Sequence, residues 1–253
     1  MTPEHLLVPY QCSDLPPGPW LVFAPHADDE TFGMGGTLRK AADQGIQTHV
    51  VVLTDGALGG PSESDSAAAQ LVETRRQEVQ AACELLGVTT LQTWDQPDRG
   101  LQMSDVLLER VATAIADLNA ATVFFPAVLE LHPDHRSTAQ LVWCGAQRLL
   151  SRPWRGQAPQ LWSYEISVQS PVNRLIDITA ELQCKNRAMA IYASQNSQNN
   201  YPELILALNK ARTFSMPPQV SHVEAFYAYS PTQLELSLRQ AAGQALALYW
   251  ENA

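Results

Sequence analysis

Basic residues are scarce in this chain: 16 Lys and Arg stand against 26 Asp and Glu, a formal net charge of −10. A protein so acidic lacks the basic face that a nucleic-acid backbone requires, which argues against nucleic acid as a partner. Long apolar runs are missing as well. No stretch approaches the roughly 18 residues needed to cross a bilayer, so no transmembrane segment is expected. Met1-Thr2-Pro3-Glu4-His5 has none of the basic-then-apolar order of a secretion signal. A cytoplasmic location is the resulting expectation. Cysteines are few and scattered: Cys12, Cys83, Cys144 and Cys184 form no Cys-x-x-Cys pair. They read as reduced thiols, mostly small buried hydrophobes, and argue against a zinc knuckle or a disulfide frame. The chain also has no internal repeat and no low-complexity tract.

What is present is the composition of a soluble globular protein, 45% apolar and 17% charged over 253 residues, enough to bury a full core. Short apolar runs at 20–24, 49–53, 89–94 and 122–125 read as buried strands. Between them helical patterns run from Gly33 to about 44, over 68–86 with Gly87 as C-cap, and over 104–119. A further helix starts near His135. Strands alternating with helices of this length predict an α/β fold, a doubly wound and mostly parallel sheet with helices on both faces. After a linker at 153–159, strands at 161–168 and 175–179 are expected as an antiparallel addition to the sheet. Helices at 181–193 and 202–210, a strand at 225–229 and a last helix from about 231 to 250 complete the chain. We read 1–253 as one domain, with its core over about 18–152 and a C-terminal strand and helix elaboration over about 160–253. The apolar last helix suits a monomer core or a contact in a homo-oligomer.

In an open parallel sheet, ligands bind outside the carboxyl ends of the strands. Pro25-His26-Ala27-Asp28-Asp29-Glu30 follows the first strand, and His132-Pro133-Asp134-His135 follows the fourth. One imidazole with three consecutive acids, facing two more imidazoles, makes a nitrogen and oxygen donor set without thiolate. Such a set suits Zn²⁺, with Fe²⁺, Co²⁺ or Mn²⁺ as other candidates. Successive side chains diverge, so one of two adjacent acids can bind metal while its neighbour reaches a metal-bound water as general base.

Three other readings compete. A dinucleotide site would use Gly33-Met34-Gly35-Gly36 and Asp55, but the glycines lack the Gly-x-Gly-x-x-Gly spacing. Asp28, Asp29 and Glu30 would also place negative charge where a pyrophosphate should sit; Gly35 and Gly36 read instead as close helix packing against the sheet. A magnesium phosphatase or nuclease would favour oxygen ligands over three histidines. A non-catalytic metal- or sugar-binding module would need no spare carboxylate, so Asp28 is the residue that discriminates it. Two loops, 59–66 and 195–201, are expected either to overhang the pocket or to lie in solvent; the amide side chains of the second suit sugar hydroxyls.

Taken together, Pro25-His26-Ala27-Asp28-Asp29-Glu30, Gly35-Gly36 and His132-Pro133-Asp134-His135 resemble the PIG-L / LmbE-like deacetylase family. The similarity extends to Thr54-Asp55-Gly56, Arg75-Arg76-Gln77-Glu78, Pro97-Asp98 and Glu224-Ala225-Phe226, and so covers most of the chain in order. It implies a Rossmann-like fold and a zinc-dependent hydrolase that removes an acyl group, normally acetyl, from an N-acetylglucosamine-type amino sugar or its conjugate. An amidase acting on a different N-acyl conjugate is the alternative. By position, the resemblance makes His26, Asp29 and His135 the metal ligands and Asp28 the general base. His132 would stabilise the oxyanion or protonate the departing amine, and Arg75 would sit near the substrate or oxyanion. Asp98 would hold a sugar hydroxyl or orient His132. Two departures stand out: Ala27 replaces the usual proline, and Glu130 stands where some members carry a tyrosine that assists catalysis.

Overall fold

The computed structural model describes residues 2–60 and 64–250, so 61–63 of the first loop fall outside the described residues. Its strands are β1 (Trp20–Ala24), β2 (Thr48–Thr54), β3 (Thr90–Gln96), β4 (Thr122–Pro126), β5 (Gln160–Tyr164), β6 (Arg174–Asp177) and β7 (Val223–Tyr229). They form one sheet in the order β3-β2-β1-β4-β5-β7-β6. The helices are α1 (Glu4–Leu7), α2 (Asp29–Asp43), α3 (Asp65–Leu86), α4 (Asp105–Asp117) and α5 (Pro133–Leu150), then α6 (Leu182–Ile191), α7 (Ala193–Asn196), α8 (Tyr201–Ala211) and α9 (Leu238–Ala247).

The alternation of side chains along the strands builds two cores, one on each face. Trp20, Val22 and Ala24 of β1, Val50 and Val52 of β2 and Phe124 of β4 join α2, α3 and α6 in one cluster. Leu21 and Phe23, Val51 and Leu53, and Val123 and Phe125 point the other way, into the cluster with α4 and α5. Strands buried on both faces explain why these segments read as unbroken apolar runs. α3 ends where Gly87 turns to φ 80°, the left-handed C-cap that glycine accepts without strain.

Two expectations need correction. The segment after the linker is not an antiparallel addition: β5 continues the parallel sheet, with Phe124 beside Trp162. Only β7 runs antiparallel, inserted between β5 and β6. The β5–β6 connection leaves that place open, and after α6, α7 and α8 the chain returns to it beside the end of β6, with Val223 opposite Asp177. The last helix also starts later than its apolar spacing implied. A 3-10 turn at Gln233–Glu235 intervenes, and Ser237 with Gln240 forms a reciprocal capping box that sets the start of α9.

The order of the strands reverses between β1 and β4, which pair side by side with Trp20 opposite Thr122. The loops leaving their carboxyl ends therefore diverge and open a crevice. Both histidine motifs sit at that point.

Candidate metal centre and active site

β1 ends at Ala24, and the Pro25 carbonyl is held by both the Thr54 amide and the Thr54 hydroxyl at 3.0 and 2.8 Å. That anchor starts the turn carrying His26 and Asp28 beside β2. Asp28 is the residue before α2, with φ 146° and ψ −30°, a conformation that non-glycine residues avoid. Strain of about 1–3 kcal/mol is typical of such a position and clusters at functional sites. Its side chain makes no capping bond to α2, so the carboxylate is left for other partners. On the second rim His132 caps α5, accepting the Asp134 amide at Nδ1 (3.2 Å), and Pro133 occupies the first turn. The helix then presents His135 to the same crevice.

Asp29 is the hinge of the arrangement. Its Oδ2 lies 3.1 Å from Nδ1 of His26 and 3.2 Å from Nε2 of His135. Ligands about 2.0–2.1 Å from a tetrahedral zinc would lie about 3.3 Å apart, close to each of these two distances. The remaining nitrogens have backing. Nε2 of His26 is 3.3 Å from Oδ2 of Asp134 and 3.4 Å from Oδ1 of Asp98, which turns Nδ1 toward Asp29. Nδ1 of His135 has no hydrogen bond of good geometry but faces Oε2 of Glu130 at 3.5 Å. Carboxylates behind ligand imidazoles are the usual outer support of a metal site. Ring nitrogens of His26, His132 and His135 also lie within 4.8 Å of one another, as do donor atoms of His26, Asp98, His132 and Asp134. His26 belongs to both groups, through a ring whose two nitrogens face Asp29 on one side and Asp98 with Asp134 on the other.

The environment drives the two adjacent carboxyls apart. Burial pushes Asp28 up to about 7, against the pull of Arg75 and with the charge of Asp29 adding to it. Asp29 is also buried, yet the facing His135 and His26 hold it well below the usual carboxylate range. One acid stays ionised and the other sits near neutrality, a division typical of a ligand beside a base. His135 is raised to about 9: burial lowers it, but Asp29 and Glu130 outweigh that. His132 is lowered by burial and by the charges of His26 and His135. With Nδ1 accepting from Asp134, the neutral ring carries its proton on Nε2 and is a donor.

Arg75 reaches the site from α3. Nη2 donates to the Ala27 carbonyl at 2.9 Å and to Oδ2 of Asp28 at 3.2 Å. Gly56, at φ 66°, makes room: a Cβ there would stand 2.8 Å from Nη1 of Arg75. One helical turn on, Glu78 accepts from the Ser194 amide at 2.8 Å and its hydroxyl at 2.6 Å, fixing the start of α7. Gln195 and Gln198 consequently line the crevice, and both donate their side-chain amides to the Gly59 carbonyl of the first loop. The cavity measures about 470 Å³, with Phe32, Ile166, Tyr201 and Ile205 among its apolar walls.

All seven residues singled out in the sequence line this cavity. Asp98 meets His26 and accepts the Leu58 amide at 3.0 Å, and hydrogen bonding to His26 overcomes its burial to hold it down at about 2. Its imidazole partner is thus His26, where the sequence reading offered a sugar hydroxyl or His132. Glu30, the third consecutive acid, turns away to the hydroxyls of Thr31 and Tyr192. Asp134, Glu130 and Glu78 were given no part beforehand. Adjacency to the ligand motifs was the available signal for the first two, and the Arg-x-x-Glu spacing for the third. The close packing expected at Gly35 and Gly36 falls instead on Gly33 and Gly36: added Cβ atoms would stand 2.4 Å from the Tyr164 ring and 2.7 Å from Ile178, against an ordinary 3.5 Å at Gly35.

The chain is similar to several known deacetylases. The chain is 32% identical over 119 residues to diacetylchitobiose deacetylase of Thermococcus kodakarensis, covering 46% of this chain and 44% of that protein. It is 29% identical over 135 residues to "Probable N-acetyl-alpha-D-glucosaminyl L-malate deacetylase 2" of Bacillus cereus, covering 51% and 61%. The matches thus span about half the length of these relatives. The solved structure of N,N'-diacetylchitobiose deacetylase from Pyrococcus horikoshii superposes with a TM-score of 0.72 at 24% identity, covering 83% of this chain and 82% of that one, and shares the fold. Residues 21–144, the span from β1 into α5 that holds both histidine motifs, match the family described as PIG-L, GlcNAc-PI de-N-acetylase.

Proposed function

We propose that this protein is a zinc-dependent hydrolase that removes an acyl group, normally acetyl, from the amide nitrogen of an N-acetylglucosamine-type amino sugar or its conjugate. The observation that carries the reading is the convergence of His26 and His135 on Asp29, with the Asp28 carboxyl, held by Arg75, beside it. The named relatives, deacetylases of diacetylchitobiose and of an N-acetylglucosaminyl malate, support an amino-sugar substrate.

His26, Asp29 and His135 would hold the ion, and the nitrogen and oxygen donors suit zinc, with iron(II), cobalt(II) or manganese(II) as substitutes. When bound, it supplies Lewis acidity to the substrate carbonyl and brings the pKa of a water to about 7. Asp28, held near neutrality, takes a proton from the attacking water. Nε2–H of His132 donates to the oxyanion as the tetrahedral carbon forms, and a donor so placed is typically worth about 3 kcal/mol. Asp28 or His132 then delivers a proton to the departing nitrogen, leaving a free amine and a carboxylate. Arg75 holds Asp28 in place and keeps its proton affinity in range. Asp98 and Asp134 orient His26 from behind. Gln195 and Gln198, whose amide nitrogens bond the Gly59 carbonyl, keep their side-chain oxygens as acceptors for sugar hydroxyls.

The test is amine release from a panel of N-acetylated amino sugars by zinc-loaded protein, with a chelator-treated control. Chelator-sensitive release is expected. No release from any member, together with no bound zinc, overturns the proposal.

A further inference from the structure

α2 is interrupted. Met34 takes φ −145° and ψ 24°, dividing a first turn that carries Asp29 and Phe32 from the longer run that follows. A helix break strands carbonyls on one side and amides on the other. Here the break is buried, from Gly33 through Thr37, where water cannot serve those groups. In a continuous helix the Gly36 amide donates to the Phe32 carbonyl. In this protein Oε1 of Glu224 accepts the Gly36 amide at 2.8 Å, and Oε2 accepts the Thr37 amide at 2.7 Å. The Phe32 carbonyl accepts from Nζ of Lys185 at 2.8 Å. Lys185 and Glu224 meet at 2.6 Å, and Asn209 takes a further proton of the ammonium at 2.9 Å. An ion pair thus occupies both ends of one step of the helix ladder.

Both side chains are 0% exposed. A buried ion pair is a poor source of stability, because desolvation cancels most of the attraction. Its placement answers a different need. The carboxylate faces the amide end of one helical piece and the ammonium faces the carbonyl end of the other, each matching the local dipole. Lys185 comes from α6, Glu224 from β7 and Asn209 from α8, so three elements of the C-terminal elaboration meet at a break four to eight residues downstream of Asp29.

We propose that the Lys185–Glu224 pair is a positioning device: by holding α2 open at Met34 it aims the first turn, and so sets Asp29 against His26 and His135 and Phe32 in the cavity wall. The proposal rests on the reading of Asp29 as a metal ligand. Lys185 and Glu224 touch neither substrate nor ion.

Single substitutions leave one buried charge uncompensated and report only on that. The test therefore uses Lys185→Met with Glu224→Leu, which removes both charges at similar volume and lets α2 close. The expected result is a folded protein whose zinc affinity, read by competition with a chromophoric chelator, falls about 10–100-fold, the usual loss when ligand support is removed. kcat falls with it while KM changes little. Lys185→Met with Glu224→Gln keeps an acceptor for the Gly36 amide and is expected to recover part of the loss, remaining at least threefold weaker than the unsubstituted protein. Zinc affinity and kcat equal to the unsubstituted protein in the folded Leu variant overturn the proposal. If the Leu variant does not fold, an unaltered zinc affinity in the Gln variant overturns it, and failure of both to fold assigns the pair to stability alone. Absence of zinc binding by the unsubstituted protein overturns the reading of Asp29 and this proposal with it.

Discussion

Nη2 of Arg75 stands 3.2 Å from Oδ2 of Asp28 and 2.9 Å from the Ala27 carbonyl, with both side chains buried. The arginine therefore does two things at once: it pins the strained turn and it lowers the proton affinity of a carboxyl that burial raises. Arg75→Met removes the lowering charge, so the pKa of Asp28 rises and the base is ionised only at higher pH. The acidic limb of kcat/KM moves alkaline, and each unit of that movement costs about tenfold in activity below the limb. A pH–rate profile with an unmoved acidic limb would separate Arg75 from Asp28.

Asp28→Asn tests the base itself. The amide keeps the size of the side chain and an acceptor for Arg75 but cannot take a proton. Zinc affinity should change less than about tenfold, because Asp28 is outside the ligand set, while kcat drops by about 10²–10⁴. Full turnover in this variant would remove Asp28 from the mechanism and revive a reading in which the site binds without reacting.

Much of this was legible from residue order because the two histidine motifs follow apolar runs. A parallel sheet places the ends of such runs on one rim, so sequence position translates directly into proximity. The roles of Asp98 and Glu130 were not legible for the opposite reason. Asp98 reaches His26 across 72 positions, and Glu130 acts through loop amides at Ile166 and Ser167. Such contacts depend on loop paths that no periodicity encodes. The same holds for α2: the helical stretch to about 44 carries no sign of the break at Met34, and the Lys185 and Glu224 side chains that bond the groups there come from far along the chain.

The pairing of Asp29 with His135 predicts opposite pH trends for the free and the zinc-bound protein. In the metal-free protein His135 is raised to about 9, above its unfolded value of about 6.5. Its contribution to stability is therefore complete below pH about 6.5 and is lost as pH climbs through about 9. Zinc must displace that proton from Nε2, so affinity should rise about tenfold per pH unit toward pH 9 for this proton alone. Thermal midpoints of chelated and zinc-loaded samples between pH 6.5 and 8.5 should diverge as pH rises. Parallel curves would show that His135 does not exchange its proton for the ion.

Glu130 offers the last test, because it joins the metal centre to the cavity wall. Its Oε2 faces Nδ1 of His135 at 3.5 Å, while Oε1 accepts the Ile166 amide at 2.8 Å and the Ser167 amide at 3.0 Å. Ser167 also donates its hydroxyl, and both Ile166 and Ser167 line the cavity. The carboxylate is engaged with the loop at Ile166 and Ser167 and faces the His135 ring on the side away from Asp29. Glu130→Gln retains an acceptor for the loop amides but removes the charge behind His135. Zinc affinity should fall about tenfold, within the 10–100-fold range for such partners, with KM nearly unchanged. Glu130→Leu removes the loop acceptor as well, leaving the buried Ile166 amide unpaired, so KM should rise along with the loss of zinc. Chelator competition and steady-state kinetics on the two variants separate these effects: equal KM values would confine Glu130 to the metal side, and equal zinc affinities to the wall.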